Sequence, residues 1–288
     1  MNDNHLIGHK NILLELKNLY KLKKLPNKLL LSGFSGIGKR IVVNELLNFI
    51  YDGENSSTLI YKKTHPNIFF LKKKENSKII DIDNVREMIK FQNQSSFNNK
   101  LRTVVVEYVD DMNLNASNAF LKCLEEPNFN TLFALIHNKE NSILDTIKSR
   151  CIEFKMTLKP SETKQIVNNK FNNDIFEDLS DDFINDYSTP GFVVSLNNFF
   201  NENNINITDV DIETLFKTII DKKYYNSDNF VKQNLNYLIE LFFYKNIIKK
   251  IFSYRTKKYF FKKLSDFRKY NLDYETFFLE FNEKLLNG

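Results

Sequence analysis

The sequence predicts an α/β fold: a five-stranded parallel sheet in residues 1–155, then helices alone. Three observations lead there. Three of the chain's seven glycines fall between Gly33 and Gly38, after an apolar run, Leu29–Leu31, and before an amphipathic run, Lys39–Tyr51. Five short apolar segments alternate with helical periodicities, the pattern of a parallel sheet covered on both faces. Beyond Lys159-Pro160 only helical spacing remains.

Leu6–Tyr20 carries Ile12, Leu13, Leu16, Leu19 and Tyr20 at helical spacing, and Pro26 separates this helix from the first strand, Leu29–Leu31. Residues 33–39 read Gly-Phe-Ser-Gly-Ile-Gly-Lys. Strand, glycine loop and helix form the setting of a phosphate-binding loop. Glycines allow the tight turn that aims backbone N–H groups at one anion. The helix N-terminus adds its positive end, and Lys39 a point charge. The next residue should be Ser or Thr, whose hydroxyl holds Mg²⁺; here it is Arg40.

Tyr51–Ser57 reads as a polar loop, Thr64-His65-Pro66-Asn67 as a turn, Ile68–Leu71 as the second strand and Lys72–Asn76 as a charged loop. Asp83 is expected to cap a helix to Ser95 that buries Val85, Met88 and Ile89. Val104–Val106 starts the third strand, Asn115–Glu126 is a helix stopped by Pro127, and Leu132–His137 is the fourth strand. Ile143–Ser149 reads as a short helix and Cys151–Phe154 as the fifth strand. In such a sheet a ligand sits at the strand C-termini, where the glycine loop falls. Ser161–Phe171, Phe176–Tyr187 and Gly191–Asn201 read as short helices, followed by Ile212–Lys222, Phe230–Tyr254, Lys257–Tyr270 and Tyr274–Leu286. Phe and Tyr three or four positions apart in these segments read as core packing.

At 288 residues the chain has room for two or three domains. Its net charge of +5 permits nucleic-acid contact without arguing for it, because the lysines are spread along the sequence. Cys123 and Cys151 are too few for a disulfide framework or a four-cysteine zinc site, and suit a reducing cytoplasm. Met1–His5 shows no signal pattern, and no apolar run approaches the ~20 residues that span a bilayer.

Hydrolysis of ATP at a phosphate loop needs an acid at the end of a neighbouring strand to order Mg²⁺, and in many motors a following Glu to polarise water. Strand three ends Val106-Glu107-Tyr108-Val109-Asp110-Asp111. Glu107 takes the first place and Tyr108 the second, where a phenol of pKa ~10 is a poor base. Asp110 and Asp111 are expected to form a solvated turn and a helix cap. Glu125 and Glu126 oppose the dipole at a helix C-terminus, so a cationic partner surface or a capped loop is expected beside them.

Asn118-Ala119-Phe120-Leu121-Lys122, Leu124-Glu125-Glu126-Pro127 and the later Ser149-Arg150-Cys151 together resemble the signature of bacterial clamp-loader subunits, the AAA+ proteins of DNA polymerase III. Leu6-Ile7-Gly8-His9, His65-Pro66-Asn67 and Ser188-Thr189-Pro190-Gly191 resemble further segments of that family. The resemblance implies an AAA+ domain at 1–157, a helical lid at 158–204 and a helical collar for oligomerisation at 205–288. It places Asn138 at the family's γ-phosphate sensor. Departures point to its delta-prime members. Arg40 replaces the magnesium hydroxyl, Tyr108 the catalytic acid and Phe192 a γ-phosphate-sensing Arg, and no cysteine-rich zinc module precedes His65. The resemblance then implies a cytoplasmic, stator-like subunit of the DNA-directed DNA polymerase assembly, without ATPase of its own and without zinc or another metal. It would donate Arg150 as an arginine finger to a neighbouring motor (tau/gamma) subunit, worth ~10³–10⁵ in rate where such fingers are known. The delta subunit, the sliding clamp and primer-template DNA are the other implied partners.

Alternatives stay open at several residues. Gly33, Gly36, Gly38 and Lys39 are compatible with static ATP binding or with a loop that only keeps its fold. Arg40 either stands in for the metal or fills the site. Arg150, on its residues alone, reads as half of a surface salt bridge, Asn138 as a satisfied loop residue, and Cys151 as a small buried hydrophobe. The competing function is an ATP-hydrolysing motor in which Glu107 alone handles magnesium.

Overall fold

The structure, a computed structural model, describes residues 6–52, 56–74, 77, 79–94, 101–126, 130–185, 187–248, 252–270 and 272–286. It divides into two compact units, Met1–Glu162 and Thr163–Gly288.

In the first unit the strands β1 (Lys28–Ser32), β2 (Ile68–Leu71), β3 (Arg102–Val106), β4 (Thr131–His137) and β5 (Ile152–Lys155) form one sheet, ordered β2-β3-β4-β1-β5. Every pairing is parallel. β3 and β4 are buried along their whole length, as central strands of a doubly covered sheet should be. The helices are α1 (Lys10–Lys21), α2 (Lys39–Ile50), α3 (Ser56–Tyr61), α4 (Ile82–Asn93), α5 (Leu114–Glu125) and α6 (Asp145–Lys148).

Strand alternation sorts the side chains between two cores. Leu29, Leu31, Ala134 and Ile136 pack with Leu13 and Leu16 of α1 and with Val42, Val43, Leu46 and Leu47 of α2. Leu30, Val104, Val106, Phe133 and Leu135 pack on the other side with Val85 and Met88 of α4 and with Ala116, Phe120 and Leu124 of α5. The Tyr51 hydroxyl ties α2 to the sheet, donating to Leu101 O at 2.7 Å and lying 2.8 Å from Thr103 Oγ1.

Several local readings change. The polar stretch expected as a loop from Tyr51 contains the start of α3, which burial of Ile60 holds in place. Asp81, not Asp83, caps α4: its side chain accepts from Asn84 N while Asn84 returns a bond to Asp81 N, both at 3.0 Å. Asp83 instead pairs with Arg86 at 2.8 Å. Asn113, not Asp110 or Asp111, caps α5 by accepting from Ala116 N at 2.8 Å. Ser95 and Pro127, expected as helix ends, and Glu75 and Asn76 of the charged loop lie outside the described residues.

The second unit is all helical: α7 (Pro160–Phe171) leads into α8 (Ile175–Asp178), α9 (Pro190–Glu202), α10 (Ile212–Asp221), α11 (Tyr224–Ser227), α12 (Asn229–Ile248), α13 (Tyr254–Lys269) and α14 (Tyr274–Phe281). The helix expected from Phe176 to Tyr187 shrinks to α8 and a 3₁₀ turn, Asp181–Phe183, because Ser180 caps that turn and Leu179 and Phe183 each turn into the core. One continuous cluster runs from Val167 to Leu285, so the segments expected as lid and collar share it. Phenylalanine dominates: Phe200, Phe216, Phe242, Phe243, Phe260, Phe277 and Phe281 are all fully buried. Lys245 of α12 joins this unit's polar edge through Asp182 and, at 3.2 Å, Asp211. Among the described residues no helix is long and apolar enough to cross a membrane.

Phe192 belongs to this core. Its ring meets Tyr237 edge-on at 4.6 Å and Phe230 at 6.0 Å. Phe192→Arg buries an unpaired guanidinium there and is expected to lower unfolding free energy by ~3–5 kcal/mol in urea titration. Phe192→Leu is expected to cost about 1 kcal/mol.

Candidate functional site

β1 stops at Ser32 and the chain turns through Gly33–Gly38 into α2. Gly36 and Gly38 take left-handed φ values of +80° and +97° that side chains rarely adopt. Gly33 is fixed by proximity: a Cβ there would lie 2.5 Å from Met156 O and 2.4 Å from Ile37 Cδ1. His9 braces the loop from outside, its Nε2 donating to Ile37 O at 2.8 Å.

Lys39 opens α2 and is only 3% exposed. Its Nζ donates to Gly33 O at 2.7 Å and Phe34 O at 2.5 Å, so the ammonium is held by its own loop. Burial drops its pKa to about 8, against the pull of the nearby Asp110 carboxylate.

The loop forms one wall of a cleft of about 270 Å³ with Ser35, Gly36, Gly38, Lys39, Arg40, Glu107, Tyr108 and Asn138 among its lining residues. The sequence-predicted loop, strand-end acid and sensor-position Asn therefore do come together. The charge arrangement is the informative part. Glu107, at the end of β3, is 5% exposed. Its Oε1 lies 2.7 Å from Lys63 Nζ and 3.3 Å from Arg40 Nη2, and Lys63 also donates to Oε2 at 3.0 Å. Two side-chain cations thus occupy the acid that the reading assigned to magnesium. Magnesium needs an octahedron of oxygen donors. The residue after Lys39 offers guanidinium N–H groups instead, and Glu107 is engaged, so the residues present do not fit that ion.

Tyr108 stands at the rim with Lys73 Nζ 5.0 Å from its ring centroid. Burial and the adjacent Glu107 raise its pKa, so it holds its proton at neutral pH. Asp110 is a correction. It is buried rather than solvated, and its carboxylate accepts from Asn138 N at 3.4 Å and Glu140 N at 3.2 Å. It stitches the end of β3 to the loop after β4. Asp111 pairs with Lys73 at 2.6 Å. Lys63 was missed by sequence reasoning; its only signal lies in a partner 44 residues away.

Arg150 is not in the cleft's lining. It follows α6, and its Nη1 donates to Thr146 O at 3.0 Å while Nη2 donates to Glu125 Oε1 at 2.6 Å. Its side chain keeps 34% of its surface exposed. The cation beside Glu125 at the end of α5 is thus this chain's own arginine, where a partner surface or a capped loop was expected. Cys151 is buried as expected, and burial pushes its thiol up to about 11. In the His65-Pro66-Asn67 turn, Asn67 N donates to His65 Nδ1 at 3.2 Å and the His65 ring lies 4.6 Å from that of Tyr51.

Because Lys39 is depressed, the unfolded chain binds more protons than the folded one between about pH 8 and the ordinary lysine value of 10.5. This group therefore makes the fold more stable as pH rises through that window. The stability of wild type relative to Lys39→Met is expected to improve by ~1–3 kcal/mol between pH 7.5 and 10, read from urea midpoints at each pH.

Comparison with known proteins follows the same lines. A delta' subunit of DNA polymerase III from Pseudomonas aeruginosa is 36% identical over 134 residues, 43% of this chain and 41% of that protein. A DNA polymerase III gamma subunit from Buchnera aphidicola subsp. Schizaphis graminum is 24% identical over 70% of this chain and 60% of its own length. The chain thus spans only about two fifths to three fifths of these relatives. A solved gamma subunit-related protein from Thermotoga maritima aligns with a TM-score of 0.47 at 19% identity, over 79% of this chain and 76% of its own. The five-stranded parallel sheet with its glycine loop is the α/β architecture expected from the sequence. A family model described as DNA polymerase III, delta subunit, matches residues 8–160, just over half of the chain. The chain belongs to the family of that model, DNA polymerase III, delta subunit.

Proposed function

We propose that this chain is a non-hydrolysing, stator-like delta-prime subunit of the DNA polymerase III clamp loader. In this reading it helps place a sliding clamp on primed DNA and presents Arg150 to the nucleotide of a neighbouring tau/gamma motor subunit. The observation that carries the reading is the Arg40–Glu107–Lys63 cluster, which leaves no carboxylate at the cleft for magnesium. Tyr108, with its raised pKa, supplies no base in place of the missing acid. Arg150 supports the other half. It is half-exposed, and its planar N–H fork suits a phosphoryl oxygen on another subunit. An arginine given in trans stabilises charge on the transferring phosphoryl group. The delta subunit, the clamp and primer-template DNA are the further partners, with lid and collar roles for 158–204 and 205–288.

The second reading is a motor of the gamma type. The intact glycine loop and buried Lys39 favour it, together with the gamma relative that spans 70% of this chain.

DNA-stimulated ATPase of the reconstituted loader separates the two. Arg150→Ala is expected to lower turnover about 100-fold or more, with Lys39→Ala within about twofold of wild type. ATP turnover by the isolated chain, or a severe effect of Lys39→Ala alone, establishes the motor. A second measurement addresses the cleft. Mg²⁺ is expected to leave the melting temperature of the ATP-treated chain unchanged, whereas Arg40→Ser with Lys63→Gln gains a Mg²⁺-dependent rise.

A further inference from the structure

Helix α13 concentrates basic charge on one element. It contains seven basic residues and one acid, net +6, while the whole chain carries +5; all other residues together sum to −1. Its buried stripe, Phe260, Leu264 and Phe267, packs into the phenylalanine core. The opposite stripe, Arg255, Lys258, Tyr259 and Lys262, is exposed. Lys258 and Lys262 stand one turn apart, roughly 6 Å along the axis. The flanking lysines are spoken for: Lys257 lies 3.7 Å from Glu240, and Lys263 pairs with Glu280. Among the described residues, Arg255, Lys258 and Lys262 have no acidic partner.

Exposed rings accompany these cations. Tyr254, Tyr259 and Tyr270 are 73%, 48% and 62% exposed, at the two ends and the middle of the helix. Tyr259 is braced: its hydroxyl donates to Glu280 Oε1 at 2.7 Å, and Lys284 Nζ lies 5.3 Å from its ring centroid. A braced, exposed ring loses little freedom when a base stacks on it. Cations one helical turn apart with aromatic faces between them match a single-stranded nucleic acid, which offers phosphates and unpaired bases together. An acidic protein surface would use the cations and leave the rings without a role, and a duplex offers its phosphates but not its base faces.

We propose that the exposed stripe of α13 binds single-stranded nucleic acid, with Arg255, Lys258 and Lys262 on phosphates and Tyr259 and Tyr254 stacking on bases. The proposal is independent of the role given to Arg150. It is tested on the full chain by fluorescence anisotropy with a labelled oligothymidylate of about thirty nucleotides over a salt series. The triple variant Arg255→Gln, Lys258→Gln, Lys262→Gln is expected to bind about tenfold or more weakly at low salt and to lower the log–log salt slope by about 2. Tyr259→Leu is expected to weaken binding about fivefold or more with the slope unchanged. Circular dichroism checks folding, and if the triple variant fails to fold, Lys258→Gln alone should lower the slope by about 0.7. The proposal is overturned if the triple variant binds like wild type or if polyglutamate of matching charge displaces the oligonucleotide equally well. It is equally overturned if duplex DNA binds as tightly and Tyr259→Leu changes nothing.

Discussion

A carboxylate buried at the end of a parallel strand has to be compensated, and this chain buries two in succession, Glu107 and Asp110. Each is answered differently. Asp110 takes backbone N–H groups from the loop after β4 and lends its field to the Lys39 ammonium. Glu107 takes Arg40 from the first turn of α2 and Lys63 from beyond α3. The glycine loop, the tip of β3 and the exit of β4 are thereby tied into one electrostatic unit. Arg40 and Lys63 stand where the sequence led one to look for a hydroxyl and a free acid, and their salt links compensate the buried Glu107 charge.

The sheet was legible because its three central strands are covered on both faces. Leu29–Leu31, Val104–Val106 and Leu132–Ile136 are unbroken apolar runs, and a parallel sheet with helices on both faces buries such runs completely. Boundaries and caps were less legible. Asp81 and Asp83 are equally good caps in sequence, and the reciprocal bond with Asn84 decides between them. Within the site, the glycines and Lys39 announced themselves by spacing. Lys63, the burial of Asp110 and the Glu125–Arg150 pair did not, since each depends on residues brought together from 25 to 44 positions apart.

The helical half shows the same division. The three- and four-residue spacing of aromatic side chains marked a core, and that core holds Phe192 where a polar residue would have needed a partner. What the spacing concealed was how far the charge on α13 outweighs that on the remainder, because lysines adjacent in sequence alternate between paired and exposed positions around the helix.

The pairing of Arg150 with Glu125 has a consequence for selectivity. The guanidinium never meets an incoming anion as an empty cation; it already holds a carboxylate at 2.6 Å and a carbonyl at 3.0 Å. Any newcomer competes with the resident acid, and its net gain is the difference between two charge-assisted bonds. A small monoanion gains little by that exchange. A multiply charged group presented at fixed geometry gains more, so in the role proposed for Arg150 the resident carboxylate would set a threshold against weak and transient ligands.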